Sequence, residues 1–416
     1  MTSMPRHSPH ECPAMSHLWS TLTAAPHRIT FLPGALLAPL TLLWWLFDLG
    51  LRYTGHPGLA DASLPAPLLH GWMMIYGLFP FFIFGFLFTA APNWLNATKI
   101  PRAAYITTAL CMGLGVVMLY ATAWSPKLGL VGGLLHLAGW GTGTVALWYS
   151  VARAAPQDKR HAWITLVSLG FGWMGDALFF LWQAQGTAAF VSGSNALGLW
   201  ACLTPLFLTV CHRMIPWFTS RIVPAYVLIR PFGLLWLMLA ACLAHAGLQA
   251  SGLSALTWLV DLPLAGMTFW FSSVWGLRPS WSTRLLAMLH IAFLWAGLAF
   301  ALHGLESAAQ ALGFNGSLGM TPLHALGIGF FSTMLIAMAS RVTLGHSGKA
   351  LVADEATWKL FWLIQATALT RMAPDILPVP PYLVFVAGGL WLLTFSAWAW
   401  KYAPLYWCPR ADGKPG

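Results

Sequence analysis

Twelve apolar stretches, each long enough to cross a bilayer, follow one another along almost the whole of this 416-residue chain. About 20 apolar residues span a hydrocarbon core of roughly 30 Å. The stretches lie near residues 33–50, 68–91, 103–124, 128–150, 162–184, 194–212, 231–249, 254–276, 285–304, 320–340, 357–374 and 381–400. Hydrophobic residues make up 58% of the chain and charged residues 8%, which leaves no polar helix faces for a soluble domain. The pattern predicts an all-α polytopic membrane protein with about twelve transmembrane helices.

The basic residues lie in alternate gaps between these spans. All but three of the 21 Lys and Arg occupy the two terminal segments and the gaps after even-numbered spans; the exceptions are Arg52, Lys127 and Arg371. The positive-inside rule then predicts a bacterial inner-membrane protein with both termini in the cytoplasm. The formal net charge of +10 is read as a topology signal, so no nucleic-acid partner is expected. We predict a cytoplasmic tail over 1–30, one transmembrane domain over 31–403 and a cytoplasmic tail over 404–416.

Similar polar and aromatic turns close spans two, six and ten. They cover residues 88–94, 212–219 and 340–348, so they recur four helices apart. This repeat predicts three four-helix units around a pseudo-threefold axis, with spans two, six and ten in equivalent places. The alternative is that Pro, Gly and Thr are ordinary helix terminators, which would make the turns similar without any repeat.

Histidine is the recurrent polar residue inside the spans. The predicted outer half holds His70, His136, His245, His303 and His324, and the inner half holds His161, His212, His290 and His346. A neutral imidazole is a common metal and haem ligand and costs less to bury than a charge, although a single membrane histidine more often makes an interhelical hydrogen bond. His70 and His324 form the best cofactor pair, because each begins a span beside small residues such as Gly71 and Gly327. Met74 follows His70 by one turn and offers a soft thioether ligand.

Two carboxylates lie within predicted spans, where an unpaired charge costs several kcal/mol by most scales. Asp176 lies in span five and Asp261 in span eight, and neither has a basic partner in its own helix. Intramembrane carboxylates commonly relay protons or pair with a buried cation. We therefore predict that these two residues handle protons or pair with a group on a neighbouring span.

Several runs of sequence resemble the NnrS family of bacterial membrane proteins. In span two they read HGWMMIYG and GFLFTAAPNW. The matching runs cover residues 70–77, 85–94, 213–219, 324–329, 338–348 and 402–416. Their order and spacing extend the resemblance from about residue 28 to the last residue and make it highly specific.

The resemblance implies an inner-membrane protein that binds haem and copper and takes part in nitric oxide metabolism or nitrosative-stress resistance. Haem held by His70 and His324, with Met74 nearby, is the cofactor expectation. If copper binds, His136 and His303 are the candidate ligands in the outer half, and His290 is the inner-half candidate. The expected partners are the lipid bilayer, nitric oxide as a small-molecule ligand, and a membrane or periplasmic electron donor.

One departure marks this chain as a divergent member. The family commonly has His-x-His-Glu-Met at the start of helix two, whereas here Trp72 replaces the second His and Met73 replaces the Glu. The replacement removes a potential metal ligand or proton-handling group. Three functions therefore stay open: an NO-reacting haem oxidoreductase, a transporter or copper- or haem-handling protein without redox turnover, and a non-enzymatic NO sensor.

Overall fold

The computed structural model describes residues 15–59, 64–123, 125–314 and 316–413, and within these ranges it consists of helices joined by turns and irregular loops, with no strands. Twelve long helices account for most of the described chain, which confirms the all-α polytopic fold. They are α1 (Pro26–Tyr53), α2 (Ala66–Trp94), α3 (Arg102–Tyr120), α4 (Pro126–Arg153), α5 (Arg160–Gln185), α6 (Ala188–Ser220), α7 (Phe232–Ala250), α8 (Trp258–Val274), α9 (Arg284–Ala311), α10 (Thr321–His346), α11 (Glu355–Ile376) and α12 (Leu383–Tyr402).

Ten of these helices are long and apolar enough to cross a membrane by length and composition, so the chain is a membrane protein. The other two are α8, which has 17 residues, and α11, which carries four charged side chains. Most helices extend past the apolar stretches that predict them. For example, α1 already begins at Pro26, because a proline in the first turn favours a helix start.

Helices α2, α6 and α10 form the centre of the bundle. Their apolar windows are 72%, 83% and 78% buried, against 67% or less for the other membrane-length helices among the described residues. Helix α12 packs against α1 and so closes the outer layer. The central position of α2, α6 and α10 agrees with the threefold arrangement predicted from their similar closing turns.

Each central helix changes to π-helical geometry in its middle. The three π segments are Met73–Leu78, Leu197–Leu203 and Ala325–Ser332. In α2 and α6 a proline follows two residues after the segment, at Pro80 and Pro205. Because proline lacks an N–H, the carbonyl one turn earlier loses its helical donor, and a wider turn relieves the clash with the ring.

Hydroxyl groups add hydrogen bonds to carbonyls in the wider turns. In α6 the Oγ1 of Thr204 donates to the carbonyl of Leu199 at 2.8 Å. In α10, which has no such proline, Ser332 donates to Gly327 O at 2.9 Å and Thr333 donates to Ile328 at 3.2 Å. Since no water is present in hydrocarbon, these bonds make irregular helix geometry tolerable inside the bundle.

The end of the bundle that carries most Lys and Arg is called the basic end. There Asp354 caps the first turn of α11 by accepting from the backbone N–H of Thr357 at 3.0 Å, and it also contacts Lys401 of α12. Partial burial raises the pKa of Asp354, but the hydrogen bonds from Lys401 and Thr357 outweigh it and lower the pKa to about 2. These contacts join α11 to α12 at the basic end.

Helices α3 and α4 pack closely, backbone against backbone. A Cβ added at Gly115 would lie 2.6 Å from the carbonyl oxygen of Gly132, and one added at Gly132 would lie 2.8 Å from the carbonyl oxygen of Gly115. Small residues permit such close packing of membrane helices, where dispersion contacts replace the hydrophobic effect as the driving force.

We expect Gly115→Val to destabilise the protein by about 1–3 kcal/mol, because the new side chain meets backbone that cannot move aside. Gly113→Val is the matched control, since a Cβ there meets no atom closer than 3.9 Å. The measurement is thermal unfolding in detergent, followed by intrinsic fluorescence. Equal melting temperatures for the two variants would contradict the proposed backbone contact.

Candidate functional site

A cavity of about 350 Å³ lies between α2 and α10, away from the basic end. The π segments of α2 and α6 contribute two residues each to its wall, and that of α10 contributes four. Gly71 and Gly327 leave room beside the backbone, since a Cβ added at either would meet no atom within 4 Å. Pockets of roughly 300–1,000 Å³ are typical of small-molecule and cofactor sites. The three irregular segments therefore converge on one ligand-sized space.

His324 lines this cavity with a defined orientation. Its Nδ1 lies 2.9 Å from the carbonyl oxygen of Met320, one turn earlier in the chain. A carbonyl oxygen can only accept, so Nδ1 carries the proton and the neutral ring keeps a lone pair on Nε2. A backbone carbonyl in this role fixes the tautomer of metal-binding histidines and raises their basicity.

His70 lines the same cavity from α2 but is held differently. Its ring stacks on Trp45, with ring centroids 4.3 Å apart and planes 9° from parallel. Its Nδ1 is buried and has no hydrogen-bond partner among the described residues. Met74, one turn further along α2, also faces the cavity. The structure thus brings the three predicted cofactor residues, His70, Met74 and His324, to one place.

Arg371 is a cavity residue that the sequence reasoning did not single out as a site residue. Its Nη1 lies 3.0 Å from Oδ2 of Asp375, and Thr321, just before His324, is 3.5 Å from the same oxygen. The available signal was its isolation, as one of three Lys or Arg residues on the side of the predicted bundle opposite the basic gaps. The pair gives the cavity a fixed cation that can bind a carboxylate or phosphate group.

His136 and Asp176 form a buried pair that joins α4 to α5. Their Nδ1 and Oδ2 atoms are 2.7 Å apart, and both side chains are fully buried. Trp72 of α2 donates its indole N–H to the other carboxylate oxygen at 2.8 Å. The Nε2 of His136 has no partner among the described residues. Trp72 therefore completes the hydrogen bonding of Asp176, and Met73 beside it is fully buried.

A similar pair joins α7 to α8. Nδ1 of His245 lies 2.8 Å from Oδ1 of Asp261, and the ring of His245 stacks on Trp200 with centroids 3.5 Å apart. The ring of His303 lies 5.6 Å from that of His245. Oδ2 of Asp261 and Nε2 of His303 are buried without partners in the described part of the chain. Both predicted proton-handling carboxylates thus have a histidine on a neighbouring helix.

The remaining candidate, His290, lies nearer the basic end, where its Nε2 is 3.0 Å from the hydroxyl oxygen of Thr219. Two other histidine pairs lie in that region: His161 with His212, and His27 with His346. Over the described ranges, no group of three or more His, Cys, Asp or Glu side chains is placed to hold a metal ion. His136, His290 and His303 therefore do not converge, and their role as copper ligands stays a prediction.

Fold and site together define a polytopic membrane protein whose central helices enclose a cavity flanked by two imidazoles. The chain matches the family of NnrS proteins over residues 21–410, nearly its whole length. It therefore belongs to the NnrS family, as the sequence runs in α2, α6 and α10 predict. No curated protein matches the chain.

We expect Trp72→Phe to destabilise the protein by about 1–3 kcal/mol, because it leaves Oδ1 of buried Asp176 without its donor while keeping an aromatic ring in place. The control is Trp148→Phe on α4, whose side chain is 46% exposed. Thermal unfolding in detergent measures the difference. A melting temperature for Trp72→Phe equal to that of the control would show that this hydrogen bond contributes nothing.

Proposed function

We propose that this chain holds haem in the cavity between α2 and α10, with His324 and His70 as its ligands, and that it acts on nitric oxide there. The observation that carries the proposal is the convergence of two imidazoles, from helices far apart in the sequence, on one cavity in an NnrS-family chain. Location in the bacterial inner membrane, with the basic end in the cytoplasm, is part of the proposal.

The residues present fit haem. The cavity is in the size range of cofactor sites, its glycines allow a flat ligand to approach the backbone, and Arg371 provides a cation for acidic substituents. A haem iron supplies one-electron chemistry and a binding position for NO, both tuned by its protein ligands. The orientation and strength of the two imidazole ligands depend on the contacts that this chain gives each of them.

The two imidazoles are not equivalent. The Nδ1–H of His324 is held by the carbonyl of Met320, which makes His324 the more basic and better oriented ligand. His70 lacks such a bond at Nδ1 and is positioned by stacking on Trp45. We therefore assign His324 as the residue that would hold haem more strongly and His70 as the weaker ligand.

The residues do not fit a copper site of three or more protein ligands in the described part of the chain. His136 and His303 each keep an unpartnered Nε2, but the structure shows no further donor beside either atom. The proposal therefore involves haem alone, and copper enters no step.

We expect His324→Ala to lose most of the bound haem, and His70→Ala to lose less haem and to show a change from low-spin to high-spin spectra. His290→Ala is the buried control, because His290 is outside the cavity and contacts Thr219. The measurement is haem content per folded protein, with visible spectra of the oxidised and reduced forms. Full haem content and an unchanged spectrum in both cavity variants would refute the ligand assignment.

Measurements on the purified wild-type protein distinguish haem-based NO chemistry from the other candidate functions. Bound haem that takes up NO without turnover, even with a reductant present, would favour a sensor. A folded wild-type protein that binds no haem during expression with haem supplied would refute the proposal and favour transport. Consumption of NO that depends on a reductant would make the chain an oxidoreductase.

We expect Arg371→Gln to release haem roughly tenfold faster, because a charge-assisted hydrogen bond to a carboxylate is lost. Arg52→Gln is the matched control: Arg52 also pairs with an aspartate four residues away, Asp48, at the same end of the bundle, but it does not line the cavity. Transfer of haem to an apo-globin acceptor measures the release rate. Equal rates for the two variants would remove Arg371 from the site.

A further inference from the structure

A second cavity, of about 60 Å³, lies among the central helices on the basic-end side of the haem cavity proposed above. Helices α1, α2, α6 and α10 line it with Phe, Leu, Ile, Val, Met, Ala and Cys side chains. None of its described lining residues has a nitrogen or oxygen atom in its side chain. The volume is several times the ~10–15 Å³ that one water-sized molecule needs.

Three phenylalanines lie between this apolar cavity and the larger one. They are Phe79, Phe207 and Phe331, one from each central helix, with centroids 5.9, 5.7 and 4.7 Å apart pairwise. Phe79 lines both cavities, Phe207 lines the small one and Phe331 lines the large one. This cluster of three rings therefore lies where the two spaces approach each other.

The far end of the small cavity approaches the basic end. Phe86, Met338 and Val342 line it there and are partly exposed, whereas the residues nearest the aromatic cluster are buried. The apolar lining thus extends from the partly exposed ends of α2 and α10 to the cluster. Water gains no hydrogen bonds in such a space, so an apolar cavity of this kind stays dry and accepts apolar guests such as xenon.

We propose that the small cavity is a binding site for an uncharged diatomic gas, and that the cluster of Phe79, Phe207 and Phe331 passes the gas into the larger cavity. Nitric oxide and dioxygen share the required chemistry: both are small, uncharged and only weakly polar. Water, protons and anions are excluded, because the lining offers no polar partner. The proposal that the gas binds in the small cavity rests on that cavity alone. The proposal that the gas then reaches a haem rests on the function proposed above.

The first test needs no haem. The structure of the wild-type protein, determined under xenon pressure, is expected to show xenon in the small cavity. Leu206→Phe, which adds volume at a lining position, is expected to displace it, and Leu206→Ala to retain it. Leu237→Phe on α7 is the matched control, because Leu237 is 58% exposed and does not line the small cavity. Absence of xenon from the wild-type cavity would overturn the site.

The second test measures the rate at which NO reaches the haem, by flash photolysis of the NO-bound protein. Overpacking the cavity with Leu206→Phe is expected to slow recombination from solution by about tenfold, and Leu237→Phe to leave it unchanged. Xenon displacement without any change in rate would overturn the route while leaving the gas site. A protein that binds xenon but no haem would refute the haem function and not the site.

Discussion

The constraint on which the rest of this structure depends is that a backbone in hydrocarbon must satisfy its own hydrogen bonds. It makes the bundle helical, and it makes any departure from regular helix costly. Three departures nevertheless occur, one each in α2, α6 and α10, and hydroxyls of Thr204, Ser332 and Thr333 add hydrogen bonds to carbonyls there. Residues from all three wider turns line the same cavity.

Buried charge is handled by pairing across helices. Asp176 and Asp261 each have a histidine on the next helix or the one before, at 2.7 and 2.8 Å, so neither carboxylate lies alone in the bundle. The two pairs differ in how many oxygens of the carboxylate accept a hydrogen bond. Asp176 has both oxygens bonded, owing to Trp72, whereas Oδ2 of Asp261 is unpartnered among the described residues. The indole N–H of Trp72 thus accounts for the difference between the two carboxylates.

Much of the fold could be predicted from the sequence, because hydropathy and the placement of Lys and Arg report directly on the bilayer. The meeting of His70 and His324 could be predicted as well, since both begin helices that occupy equivalent places. The histidine partners of Asp176 and Asp261 could not be predicted from the sequence. Which side chains of two helices face each other depends on the rotation of each helix about its axis, and packing sets that rotation. Arg371 could not be assigned to the site from the sequence either, because only the packing of the helices brings α11 to the cavity.

The three central helices are alike in geometry but not in the side chains that precede their π segments. Histidines stand there in α2 and α10, whereas α6 has Ser194, whose carbonyl accepts a hydrogen bond from Tyr76 of α2 at 2.6 Å. That bond joins α6 to α2, and the ring of Trp200 in α6 stacks on His245 of α7. The likeness of the three central helices therefore does not extend to their chemistry, because α2 and α10 each present an imidazole to the large cavity and α6 presents none.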